Sequence, residues 1–191
     1  MKIGILAVQG AFREHEKILQ TLGADTVQVR LPNQLDGCDG LVIPGGESTA
    51  IGKLMRQYDL MDPIRDMAKS GTPVFGTCAG MIVMANRIQG GEESHLGVMD
   101  VEVNRNSFGR QKESFETDLD IPVLGPEPFP AVFIRAPHIT SVGPEVSVLC
   151  EYEGRVVAVQ QDHYLALSFH PELTGDSRIH QHFLSMVEAS K

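Results

Sequence analysis

Gly76-Thr77-Cys78-Ala79-Gly80 sets a cysteine between glycines at both ±2 positions. This is the spacing of a nucleophile elbow, a sharp strand-to-helix turn that only small flanking residues allow. At a helix N-terminus the dipole would favour the thiolate of Cys78. A buried, inert cysteine is the competing reading of Cys78 alone, but the strand pattern before it and the helix pattern after it favour the elbow. Cys38 and Cys150 lack that context and read as structural. His170-Pro171-Glu172 offers a base and its orienter. Proline forces the preceding residue into an extended conformation, and extended residues two apart project to one side. Glu172 could then fix the imidazole tautomer of His170 and stabilise its cation. Pro44-Gly45-Gly46-Glu47-Ser48-Thr49 is not a phosphate loop. Glu47 stands where that motif needs glycine, and Leu54 replaces the Ser/Thr after Lys53. Its glycines suit backbone N–H groups aimed at an oxyanion, partnered by the N–H of Ala79, or a plain turn into a helix.

The remaining candidates are weaker. His180 and His182, two apart on a helix, face different ways and make a poor metal pair. His15, His95, His138 and His163 have no ligand spacing and read as structural or surface residues. Arg105 and Arg110 sit in a polar stretch, where solvated arginines are usual. Arg135 follows a buried strand and could hold a carboxylate.

These residues need elements to carry them. Residues 2–8, 26–29, 41–43 and 73–76 read as short buried strands. Residues 12–22, 48–58, 61–69 and 79–88 read as helices between or after them. Alternation at this spacing predicts βαβ units and a parallel sheet. The second half is strand-rich at 98–103, 132–134, 146–152, 156–160 and 164–169, which predicts antiparallel additions. Residues 104–130 read as loop, and 176–188 as a closing helix. With no repeat or linker, one domain over 1–191 is expected. Ligands of such sheets bind beyond the carboxyl ends of the strands. Gln9-Gly10, the Pro44 turn, the cysteine elbow and His170-Pro171-Glu172 all follow such ends.

Composition narrows the function classes. The 191 residues carry 16 Lys and Arg against 25 Asp and Glu, for a formal net charge of −9. That disfavours nucleic acid and anionic membranes as partners. Trp is absent and aromatic residues are 6%, so base-stacking platforms are not expected. No secretory signal or membrane-span pattern is present, which predicts a cytoplasmic protein. Three widely spaced cysteines without a CxxC predict neither a disulfide framework nor a zinc ribbon.

The cysteine elbow, Pro-Gly-Gly-Glu-Ser turn and late His-Pro-Glu, in that order, resemble the class I glutamine amidotransferases with a Cys-His-Glu triad. Residues 6–15 (LAVQGAFREH), 44–49 (PGGEST), 75–80 (FGTCAG), 105–111 (RNSFGRQ), 133–138 (FIRAPH) and 168–174 (SFHPELT) together are similar to the family of glutaminase subunits of pyridoxal 5′-phosphate synthase. The match spans essentially the whole chain, with no departure at these positions. It implies an α/β fold, a flavodoxin-like three-layer sandwich with a mostly parallel central sheet and antiparallel additions in the second half. It implies that Cys78 is the nucleophile, His170 the acid/base and Glu172 the orienter. Gly46, Glu47 and Ser48 would line the glutamine site, with Gly46 and Ala79 forming the oxyanion hole. Arg105, Ile134 and Arg135 would hold the amino-acid end of L-glutamine. It implies no metal or organic cofactor, and transfer of ammonia to a separate synthase (lyase) subunit in a large hetero-oligomer. Two rival readings remain: a cysteine-elbow redox sensor or chaperone, which needs Cys78 but not His170 or Glu172, and an ammonia-producing enzyme that works alone.

Overall fold

The computed structural model describes residues 1–105 and 113–191. Strands β1 (Lys2–Leu6), β2 (Asp25–Val29), β3 (Gly40–Ile43), β4 (Val74–Thr77) and β12 (Tyr164–Leu167) form a parallel block in the order β2-β1-β3-β4-β12. The sheet continues through β11 (Arg155–Gln161), β9 (His138–Val142), β6 (Met99–Asn104) and β5 (Ala85–Ile88), and β10 (Ser147–Tyr152) pairs with β11. The β12–β11, β11–β9, β11–β10 and β9–β6 pairings are antiparallel. This is the expected mostly parallel sheet with antiparallel additions. β12 comes late in the chain yet lies beside β4, so His170 emerges next to Cys78.

Strand alternation divides the core in two. Leu41, Ile43, Val74 and Ala166 point to the face covered by α2 (Ser48–Gln57), α3 (Met61–Lys69) and α4 (Ala79–Met84). Ile3, Ile5, Val42, Phe75 and Leu165 point to the other face, under α1 (Phe12–Thr21) and α5 (Arg178–Ala189). A strand buried on both faces has no polar side to show. This explains the continuous apolar runs at Leu41-Val42-Ile43 and Val74-Phe75. Each such side chain is worth roughly 1.5–3 kcal/mol of burial.

Two expectations are corrected. The helix expected over 79–88 stops at Met84, and Ala85 turns extended (φ −65°, ψ 143°) to begin β5, which pairs in parallel with β6. Ala79 to Ala85 are all buried and show no polar face to report a period, so the point where helix gives way to strand is not visible there. The loop expected over 104–130 contains β7 (Ser114–Leu119), paired antiparallel with β8 (Phe129–Ile134) in a separate two-stranded sheet. Phe115 stacks on Phe133 at 4.8 Å, which ties the ribbon together. Pro130 is tolerated within a ladder that has only one partner. β9 was also not expected as a strand.

Candidate active site

The parallel strands deliver their carboxyl ends to one rim. Thr77 is in register with Leu167, and the Cys78 N–H continues the ladder by donating to Leu167 O at 2.8 Å. Cys78 then adopts φ 52°, ψ −108°, a conformation a non-glycine residue holds only under constraint. The flanking glycines make the turn possible. A Cβ on Gly80 would overlap the Ile43 carbonyl oxygen of β3, and one on Gly76 would lie 2.7 Å from the Gly80 backbone. The elbow read from the sequence is therefore present, with Ala79 opening α4.

Cys78 is 6% exposed, and its Sγ lies 3.8 Å from Ile134 O. On one side His170 faces Cys78, the two so close that a Cβ on Gly45 would touch both. On the other, its Nδ1 lies 2.5 Å from Glu172 Oε1. The main chain holds His170 as well, because its N–H donates to Val132 O of β8 at 2.8 Å. Glu172 sits in the 3₁₀ turn Pro171–Leu173 with a fully buried side chain. Burial works against a cationic imidazole. The bonds to Cys78 and Glu172 overcome it and raise the pKa of His170 to about 10. A histidine held cationic between a thiol and a carboxylate is equipped to pair with a thiolate and to return a proton to a leaving group.

The glycine-rich turn is pinned from the first strand. Ala11 N–H donates to Gly45 O at 3.0 Å, and Glu47 N–H donates to Gln9 Oε1 at 2.9 Å. A Cβ on Gly45 would lie 2.5 Å from the His170 ring, so only glycine lets the turn approach the imidazole. Glu47 caps α2, accepting from Thr49 N–H at 3.1 Å and Ala50 N–H at 2.7 Å. Slight burial opposes its charge, but these bonds and Arg105 hold its carboxyl below the usual range. Ser48 is buried and its hydroxyl is unpartnered among the described residues.

Arg105 reaches the same rim with its guanidinium engaged. Nη1 contacts both Glu92 oxygens at 2.8 Å, and Nη2 contacts Glu47 Oε1 at 3.0 Å and Thr49 Oγ1 at 3.3 Å. The rest of the 105–111 motif, with Arg110, lies outside the described residues. Ile134 ends β8 beside the cysteine, and exposed Arg135 follows at φ 46° with its N–H on Glu113 O. The structure thus gathers Cys78, His170 and Glu172 into one contact chain, with Gly46, Glu47, Ser48, Ala79, Arg105 and Ile134 around it.

Two histidines not expected at the site stand behind it. His15 and His180 are fully buried. His15 Nδ1 lies 2.8 Å from His180 Nε2, and His15 Nε2 lies 3.2 Å from Thr77 Oγ1 and 3.4 Å from Glu172 Oε2. His15 on α1 and His180 on α5 are far apart in sequence. In sequence His15 stands out only as the end of the 6–15 motif, and His180 only as a polar residue in an apolar helix. Among the described residues no group of three or more His, Cys, Asp or Glu could hold a metal ion.

A mostly parallel sheet flanked by helices, with an elbow cysteine facing a His-Glu pair, defines a glutamine amidotransferase of the class I architecture. A crystal structure of a glutamine amidotransferase matches it with a TM-score of 0.92 at 47% identity, covering 97% of this chain and 98% of that one. The chain belongs to the SNO glutamine amidotransferase family, whose model matches residues 5–189. The pyridoxal 5′-phosphate synthase subunit PdxT of Desulforamulus reducens is 58% identical over 188 residues, 98% of this chain and 100% of that one. Its counterpart in Niallia circulans is 56% identical over 192 residues, covering both chains completely.

Proposed function

We propose that residues 1–191 form one glutaminase domain whose triad is Cys78, His170 and Glu172, and that it supplies ammonia for pyridoxal 5′-phosphate (vitamin B6) synthesis. The observation that carries this is the elbow Cys78 beside the buried His170–Glu172 pair. The Cys78 sulfur attacks the side-chain amide carbon of L-glutamine, and the negative oxygen is met by the N–H groups of Gly46 and Ala79. His170 gives its proton to the leaving nitrogen, the C–N bond breaks, and ammonia departs from a γ-glutamyl thioester. His170 then takes a proton from water, the hydroxide adds to the thioester carbon, and the C–S bond breaks to release glutamate. Glu172 holds His170 in the tautomer that faces sulfur through both halves.

Glu47, Ser48, Arg105, Ile134 and Arg135 hold the amino-acid end of glutamine in this reading. The Arg105–Glu47 pair at 3.0 Å supplies both signs of charge needed for an α-carboxylate and an α-ammonium. Ammonia passes to a separate synthase subunit in a large hetero-oligomer in this reading, which the similar PdxT chains support by carrying the name of one synthase subunit. The proposed setting is the cytoplasm: Cys38, Cys78 and Cys150 are free thiols, and among the described residues no helix is long and apolar enough to cross a membrane.

Mass spectrometry after treatment with a glutamine-like diazo ketone, with the synthase subunit present, tests the reading. A covalent adduct on Cys78, lost in Cys78→Ala, is expected. An intact Cys78 would overturn it in favour of a redox or chaperone role. Equal ammonia release with and without the synthase would show a glutaminase that works alone.

A further inference from the structure

Glu172 has two carboxylate oxygens, both buried, and the triad uses one. Oε1 takes the His170 Nδ1–H, while Oε2 accepts no hydrogen bond from any described residue. A buried carboxylate with one idle oxygen can rotate or take up a proton, and either would release His170. His15 Nε2 stands 3.4 Å from that oxygen. We infer that His15 is a positioning residue for Glu172, aiming its Nε2–H at Oε2 in a tautomer set by the Nε2–H of His180. This rests on the triad reading above.

The hydrogen-bond inventory selects the tautomer. If His15 carried its proton on Nδ1, it would donate to His180 Nε2. Its bare Nε2 would then face the Glu172 oxygen, lone pair against lone pair, and His180 would bury an unpaired N–H at Nδ1. With the proton on Nε2, His15 donates it to Thr77 Oγ1 at 3.2 Å and holds it beside the charged Oε2 at 3.4 Å. His15 Nδ1 accepts from His180 Nε2–H at 2.8 Å, so the unpartnered Nδ1 of His180 is a bare acceptor rather than a buried N–H. Burial, and then the neighbouring histidines, keep His15 well below its ordinary pKa, so the relay is neutral beside the anionic Glu172. The contact is longer than a formed hydrogen bond, as contacts around a catalytic group often are before substrate is bound.

The competing role is packing, since both rings meet the edge of Phe75. Kinetics with the synthase subunit present separate the two. His15→Leu keeps the bulk and removes the N–H. It should lower kcat by about 10–100-fold, the usual effect of losing a partner behind a working group, with little change in KM for glutamine. His15→Gln carries an amide N–H to the same place and should recover most of the loss. The downfield proton resonance of the His170–Glu172 bond should shift in His15→Leu and persist in His15→Gln. If His15→Leu does not fold, His180→Phe serves, with a smaller loss of kcat and a shifted resonance expected. A folded His15→Leu with normal kcat and resonance would overturn the inference, as would a folded His15→Gln as impaired as His15→Leu, or a His180→Phe unchanged in both readouts. Glu172→Gln separates the two levels. Full activity there would sink the triad reading, whereas an inactive Glu172→Gln beside a normal His15→Leu would sink only the role of His15.

Discussion

Replacing His180 with phenylalanine should change how stability responds to acid. The ring is fully buried, and burial lowers its pKa to about 4, against 6.5 for an ordinary histidine. Between those values the unfolded chain binds a proton at this site and the folded chain does not. The stability contributed by neutral His180 is therefore intact above pH 6.5 and lost as pH falls towards 4. At roughly 1.4 kcal/mol per pH unit, the loss from pH 8 to pH 5 comes to about 2 kcal/mol. His170 acts oppositely. Its pKa is raised to about 10, so its contribution is full below 6.5 and lost as pH rises through 10. The whole protein blends both slopes, and a single pH profile would hide them. Subtraction isolates the term: urea unfolding of wild type and His180→Phe at constant ionic strength should show the variant gaining about 2 kcal/mol relative to wild type between pH 8 and pH 5. His15 adds to this in the same direction, because losing its neighbour relaxes the downward pressure on its own pKa. A stability difference that stays flat across that range would refute the burial argument.

Three further outcomes are expected. Glu172→Gln should lower turnover about 10²–10⁴-fold with little change in glutamine affinity by calorimetry, since it perturbs the imidazolium rather than a substrate contact. Gly80→Ala should destabilise the fold by about 2–4 kcal/mol in chemical denaturation and remove activity, because its Cβ has no room beside Ile43 O. Arg105→Ala should leave stability within about 1 kcal/mol, as its ion pairs are partly solvated, yet raise the KM for glutamine in steady-state assays.

The parts of the molecule legible in the sequence are those where local pattern and chemistry coincide. Glycines around Cys78 announce a close approach, and the structure supplies the obstacles, Ile43 O and the Gly80 backbone. His170 and Glu172 are near neighbours in sequence and pair as expected, though through the 3₁₀ turn Pro171–Leu173 rather than an extended run. The misses have a different origin. Ala85-Asn86-Arg87-Ile88 follows a buried apolar run and its state depends on β6 as a partner, and Ser114 to Leu119 is polar enough to pass for loop until β8 is beside it. His15 and His180 sit 165 residues apart, and only the packing of α1 against α5 across Phe75 makes them a pair. Arg105 read as solvated from its own stretch and was placed at the glutamine site only by the resemblance; its engagement by Glu92 was not legible, because that contact crosses a turn.

The placement of β12 has a consequence for how the chain folds. Until it arrives, β4 presents an unpaired edge directly beneath the cysteine, with apolar faces on both sides, the kind of template that recruits other chains. The strand that seals this edge is the one that carries His170 to Cys78. An intermediate lacking it would be adhesive and without a completed triad, so the appearance of activity during refolding should report closure of the sheet and the end of the aggregation-prone phase together.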